Sequence, residues 1–198
     1  MSRQVRGALF VDYVRMIRRR KDVDWARLLE PRDLAFVATR VSPDAWYPMD
    51  TFERLGAAIL ETIGEGDLER VRVWGRRTAE LLHESYPKLV APGDPRESLM
   101  RYQVMRQTFF DFATVTVREL SDLEARLVLA YDMSPRVEAA AAHQLMGFFE
   151  HLLELAGAER VQARLLARRW EGEPATVLEL KWSRPPGDRG LPRAPRGM

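Results

Sequence analysis

The 198-residue chain has no cysteine. Disulfides, thiolate metal sites and cysteine nucleophiles are excluded together, and the composition fits a reducing interior. No apolar run approaches the roughly 18 residues that a membrane span needs. The N-terminal stretch "MSRQVRGALFVDYVRMIRRRK" sets arginines around a short apolar segment, but Asp12 and Arg15 interrupt it and no small-residue cleavage site follows. That is not the pattern of a secretory signal, so a cytoplasmic protein is expected. Histidine is scarce, with three in all. His143 and His151 lie eight residues apart on one predicted helix, about two turns, too far to share a metal. His83, in "ELLHESYPK", would need ligands from elsewhere. No metal and no cofactor is therefore expected.

Catalytic motifs are missing too. Ser98, Ser121 and Ser134 have no glycine elbow around them. "IGEGD" (63–67) carries two glycines but fits neither a P-loop nor a dinucleotide fingerprint. The acidic pairs Glu61/Glu65 and Asp122/Glu124 read as solvated faces. The chain is read as non-enzymatic.

Charge is nearly balanced, with 31 basic and 29 acidic residues. The last fifteen residues, "RPPGDRGLPRAPRGM", hold four arginines and one aspartate, so the preceding part carries 27 basic against 28 acidic. The basic excess sits on a Pro- and Gly-rich tail (184–198), read as disordered, after a single domain over 1–183. The Arg–aromatic neighbours in "WGRRTAE" and "LLARRW" read as surface packing, and no specific nucleic acid is expected as a partner.

What is present is mostly helical periodicity. Leu9, Tyr13 and Ile17, with Phe10 and Val14 beside them, predict a helix over 5–20. A short helix is predicted from Asp24 to Glu30, ended by Pro31, which opens another turn through Ala38. Pro48, or Asp50 as a cap, opens a helix carrying Phe52, Leu55, Ile59 and Ile63 and closed at Gly64 or Gly66. Asp67 caps the next, with Val71, Trp74, Leu81 and Leu82. Another carries Leu99, Tyr102, Met105 and Phe109. After Phe112 the period falls to two. Val115 and Val117, then Leu123, Ala125, Leu127, Leu129 and Tyr131, predict a hairpin turning at 120–122. A long helix over 136–156 ends before Gly157, and "RVQARLLARRWEGEPATVLELKW" gives two more strands about a turn at Gly172–Pro174. The fold class is α+β: N-terminal helices packed with an antiparallel four-stranded sheet made of two hairpins, separated by a long helix.

The stretches "GALFVDYVRMI", "WYPMDTFERLGAAIL" and "GFFEHLLELAGAERVQARLLARRWEGEPATVLELKW" resemble the myxobacterial paralogous family known as domain of unknown function 2378. The resemblance spans about residues 6–183. The element order is also similar to a wider set: 4-vinyl-reductase-type domains, haem nitric-oxide-binding domains and small TRAPP tethering subunits. Vinyl-reductase-type domains place metal-binding cysteines around a Gly-Asp-Pro turn. Here Gly172, Glu173 and Pro174 resemble the turn, but Arg168 and Thr176 stand at the cysteine positions, so that metal site is absent. Haem nitric-oxide domains clamp the propionates with Tyr-x-Ser-x-Arg. Tyr131, Ser134 and Arg136 are similar, with one extra residue between Tyr and Ser. The axial histidine those domains need is missing from "ESLMRYQVMRQTFF", and Met105 there reads as core. Ser134 and Pro135 also suffice as an ordinary helix start, leaving Arg136 as the candidate anion contact.

Two functional expectations follow. In one, the domain senses or regulates by binding a small hydrophobic molecule in a pocket between sheet and helices, lined by Trp46, Tyr47, Phe52, Tyr102, Phe109 and Phe148 with Arg136. In the other it binds no ligand and is a protein-interaction or scaffold module, a homodimer formed through a helical face. An enclosed apolar cavity favours the first.

Overall fold

The computed structural model describes residues 3–184. Arg184 alone of the tail lies among them, so the expectation for the tail falls outside the described residues. The described residues form six α-helices and six strands in an α+β arrangement, and the four strands after Phe112 and the long helix between them follow the predicted order. The chain starts with a strand the sequence reading missed. Residues Gln4–Arg6 (β1) pair antiparallel with Trp46–Pro48 (β2) in a two-stranded ribbon, with Val5 opposite Tyr47. Three-residue strands are too short to show a period. Helix α1 therefore starts at Gly7 and runs to Arg19, burying Phe10, Val14 and Ile17. Gly7 is required there, because a Cβ would sit 1.9 Å from the Ser42 carbonyl oxygen.

Helix α2 covers Pro31–Ala38 as expected, but the segment before it is only a 3₁₀ turn at Trp25–Arg27. Helix α3 is Met49–Thr62; Pro48 takes the cap position and Asp50 lies in the first turn instead. Helix α4, Leu68–Ser85, is capped as predicted, the Asp67 carboxylate accepting from the amides of Glu69 and Arg70. Helix α5, Pro95–Met105, opens on proline with Asp94 as cap.

The four-stranded antiparallel sheet has the order β3–β4–β6–β5, formed by Val115–Leu120 (β3), Glu124–Leu129 (β4), Glu159–Ala167 (β5) and Thr176–Ser183 (β6). Each hairpin keeps its strands adjacent, and β4 and β6 join the two at the centre with Leu127 opposite Leu178. Period-two alternation puts Ala125, Leu127, Leu178 and Leu180 fully inside. Leu123 belongs to the turn, not the buried face, and is 43% exposed.

Helix α6, Pro135–Leu155, is the central element, ended by Gly157 at φ 91°. The side of α6 that bears Glu138 and Glu150 meets β5 and β6, where they accept from Thr176 and the Ala163 amide. The side that bears Ala141, Leu145 and Phe148 meets helices, and Phe149, Leu152 and Leu153 are fully buried. Full burial of such side chains is worth about 1.5–3 kcal/mol each. Its main helical neighbour is α4. At their crossing a Cβ on Gly75 would lie 1.9 Å from the Gln144 oxygen, and one on Gly147 would lie 1.8 Å from the Arg72 oxygen. The two backbones touch because both residues lack side chains. Beside this crossing Glu150, 5% exposed, accepts from Arg72 (Nε, 3.0 Å) and from the Ala163 amide, which satisfies a buried carboxylate.

Candidate functional site

The helical layer surrounds a partly open cavity of about 170 Å³. Its walls follow from helical spacing. On α1, Leu9, Tyr13 and Met16 form a second stripe beside the core stripe of Phe10, Val14 and Ile17. On α6, Ala141, Gln144, Leu145 and Phe148 recur at i, i+3, i+4 and i+7, opposite the stripe that meets the sheet. Phe52 and Gly56 of α3, Trp74 of α4 and Tyr102 of α5 complete the sides, and Phe109, Tyr131 and Met133 close one end. Tyr13 and Phe52 stack with ring centroids 4.4 Å apart and planes 9° from parallel.

Few polar groups reach this space. The Tyr13 hydroxyl donates to Gln144 Oε1 at 3.2 Å, which fixes the amide so that its nitrogen remains a donor. The Tyr102 side chain lines the cavity at 6% exposure, and among the described residues its hydroxyl has no hydrogen-bond partner. Burial pushes the Tyr13 phenol up to about 12, Tyr102 higher despite the lowering charge of Arg106, and Tyr131 well above the ordinary range. All three are neutral hydroxyls at physiological pH. No lysine or arginine lines the cavity; its charged members are Asp12 and Glu53, and Glu53 accepts from the Ser134 amide at 2.8 Å.

Of the seven residues proposed from sequence, the structure brings four together here: Phe52, Tyr102, Phe109 and Phe148. Three lie elsewhere. Tyr47 stacks on Phe10 at 4.5 Å and its hydroxyl accepts from the Ser42 amide, so it is a core residue. Its strand neighbour Trp46 points the other way, 36% exposed, under the Arg6 guanidinium. Arg136 lies on the outer side of α6, 61% exposed and 3.8 Å from Glu61. The Tyr-Ser-Arg trio accordingly diverges: Tyr131 goes inward, Ser134 is exposed without a side-chain cap bond, and Asp132 between them takes a left-handed φ of 52°.

The location also needs correcting. The sheet face is sealed by α6, so the cavity sits among helices α1, α3, α4, α5 and α6, and no residue of β3–β6 lines it. Sequence reasoning missed Tyr13 and Gln144. Tyr13 was merged into a single apolar stripe of α1. Gln144 had a readable signal, being a polar side chain between Ala141 and Leu145 on an otherwise apolar face.

Other candidates resolve structurally. Arg76 bonds Glu154 rather than stacking on Trp74, and Arg169 bonds Glu138 and Asp132. His151 sits 3.3 Å from Glu80 and 3.1 Å from Glu154. Among the described residues no three histidine or acidic side chains are grouped to hold a metal. No helix among them is long and apolar enough to cross a membrane.

No family model matches the chain, and no curated protein matches it. Solved structures do. A point mutant of an H-NOX protein from K. algicida, in the Fe(II) unliganded state, has a TM-score of 0.63 at 12% identity, covering 91% of this chain and 97% of that one. A point mutant of the T. Tengcongensis H-NOX gives 0.59 at 15%, covering 91% and 98%. An oxygen-binding H-NOX domain related to soluble guanylate cyclases, as its oxygen complex, gives 0.59 at 17%, covering 91% and 96%. At these identities the similarity is one of fold, and the chain has the fold of H-NOX domains along nearly its whole described length.

Proposed function

We propose that residues 1–183 form one non-enzymatic sensing domain of the type suggested by the domain of unknown function 2378, whose signal is a small hydrophobic molecule held in the helical cavity. This largely apolar space among the helices carries the reading: interiors are otherwise close-packed, and an engineered apolar cavity of about 150 Å³ takes up benzene. Phe52, Tyr102, Phe109 and Phe148 are its aromatic wall.

The fold relatives raise haem, and the residues here do not fit it. A porphyrin is several times larger than one aromatic ring, whereas this space is on the scale of a single ring. No histidine lines it. Its phenols are held neutral by burial, unsuited to act as phenolate ligands. The propionates would find no cation, since Arg136 is outside and beside Glu61. The sensing role is thus read without the haem.

The assembly reading rests on a different observation. Val104 (71% exposed), Met100 and Tyr86 stand around an open surface groove along α5. The cavity lies inside one protomer and needs no second copy.

Native mass spectrometry of protein purified from its own host tests both readings at once. A small co-purified molecule, lost in Ala141→Phe, which fills the cavity, supports the sensing reading. An unliganded monomer that also fails to take up small apolar probes sinks it.

A further inference from the structure

We infer that the cavity selects a neutral molecule of one-ring size that carries a hydrogen-bond acceptor, a small ketone, lactone or ester rather than a hydrocarbon or a carboxylate. This rests on the cavity being the binding site. Three observations set the class. The first is size: about 170 Å³ admits one ring and a short substituent. The second is the polarity of the unpaired groups. Tyr102 is nine-tenths buried, and among the described residues its hydroxyl bonds nothing. A hydroxyl that faces an apolar space without a protein partner gains by bonding a ligand, and a ligand acceptor can take the Tyr102 proton. Tyr13 bonds the Gln144 oxygen, and the Gln144 amide nitrogen is a second donor at the wall. The carboxylates at the wall are already engaged, Asp12 with Arg15 and Glu53 with the Ser134 amide.

The third is charge. A cation would have to compete with Arg15 for Asp12 and with the Ser134 amide for Glu53, and no lysine or arginine lines the cavity to receive an anion. An anion would meet Asp12 and Glu53 instead, each of its own sign. A carboxylate would be desolvated without compensation. Hydrocarbons fit the space but leave Tyr102 unpaired.

Three probes of nearly equal shape separate the terms: acetophenone, ethylbenzene and benzoate. Each is titrated against the intact chain and against Tyr102→Phe by ligand-observed NMR at neutral pH. The phenylalanine keeps the ring and its contacts with Phe148 and Phe149. Acetophenone should bind about fivefold or more tightly than ethylbenzene, the net worth of one neutral hydrogen bond. Benzoate should not bind, and Tyr102→Phe should bring acetophenone and ethylbenzene together. Equal binding of those two by the native chain overturns the acceptor requirement and leaves the cavity reading standing. Binding of benzoate overturns the neutrality requirement. A preference that survives in Tyr102→Phe overturns the assignment of the donor. Failure of all three probes removes the binding site itself, and with it the sensing reading.

Discussion

Replacing Gly147 by alanine perturbs the molecule where two backbones touch. The added Cβ would lie 1.8 Å from the Arg72 oxygen and 2.8 Å from its carbonyl carbon, both main-chain atoms that no rotamer change can move aside. Restoring an ordinary contact near 3.4 Å requires α4 and α6 to part by about 1.6 Å. Overpacking costs about 1–3 kcal/mol, and a backbone collision belongs at or beyond the upper end. Alanine returns about 1 kcal/mol of helix propensity. The expected net loss is about 2 kcal/mol, or a fall in Tm of about 4–8 °C for a chain of this size. Urea denaturation followed by tryptophan fluorescence should show a lower midpoint with an unchanged slope. Gly75→Ala meets the Gln144 oxygen at 1.9 Å in the same crossing, so the double variant should cost less than the sum of the two. Gly56→Ala is the contrast: its Cβ meets only the Tyr13 side chain, at 3.1 Å, and the same gain of about 1 kcal/mol in helix propensity offsets a shift of a few tenths of an ångström there, so stability should not fall. A Gly147→Ala protein as stable as the parent would refute the close crossing. Because Trp74, Gln144 and Phe148 belong to the same two helices, parting them should also weaken uptake of cavity probes.

Four further outcomes are expected. Arg54→Ala leaves the fully buried Asp33 carboxylate without its bidentate partner, at 2.7 and 2.8 Å, and should cost about 3–5 kcal/mol in denaturant unfolding; Asp33→Leu added to Arg54→Met should recover much of it. Burial alone would raise the Asp33 pKa, but hydrogen bonds from Arg54, Thr51 and the Glu30 amide overcome it and hold the carboxyl below its ordinary 3.8. A lowered folded pKa gives stability that is present above the unfolded value and is lost as pH falls from near 4 through the folded one; unfolding measured between pH 5 and 2 should flatten in Asp33→Asn. Phe148→Ala should enlarge the cavity and lower stability by about 3–5 kcal/mol, with two-ring probes newly admitted in NMR titrations. Hemin added to the purified chain should leave its absorption spectrum that of free hemin; a stoichiometric shifted Soret band would overturn the exclusion of haem.

Much of what local chemistry decides was legible in the sequence. Asp67 begins a helix for reasons contained within one turn, and Gly157 ends one by its positive φ, whereas the start of α5 at Asp94 and Pro95 was not read. The two hairpins were legible because one buried face imposes a period of two, and their union into a single sheet followed from the order of elements. Contacts between distant segments were not legible. Val5 meets Tyr47, and Gly75 meets Gln144, across separations that no local pattern encodes. The candidate site divides the same way. Choosing aromatic residues on predicted helices picked Phe52, Tyr102 and Phe148, which line the cavity because a helix with two buried stripes turns one of them toward a neighbouring helix, and Phe109, which lines it from beyond the end of α5 at Met105. The choice failed at Trp46 and Tyr47, where an unrecognised strand sends adjacent side chains to opposite sides.

The position of α6 explains why the pocket was misplaced, and why the fold alone does not name the ligand. A 21-residue helix with one stripe on the sheet leaves no room at the sheet for anything else, so any cavity must open on its other stripe, among the helices. The side chains of that stripe then decide what the space accepts. In this chain they are small and apolar at Ala140 and Ala141, and polar at Gln144, with the phenols of Tyr13 and Tyr102 across the cavity. Such a wall keeps the fold of the H-NOX domains with no histidine, lysine or arginine lining it. Function follows that stripe rather than the topology around it. Substitutions at Ala141 and Gln144 should therefore change which molecules bind more than they change stability, and substitutions at Leu152 or Leu153, fully buried and outside the cavity wall, should do the reverse.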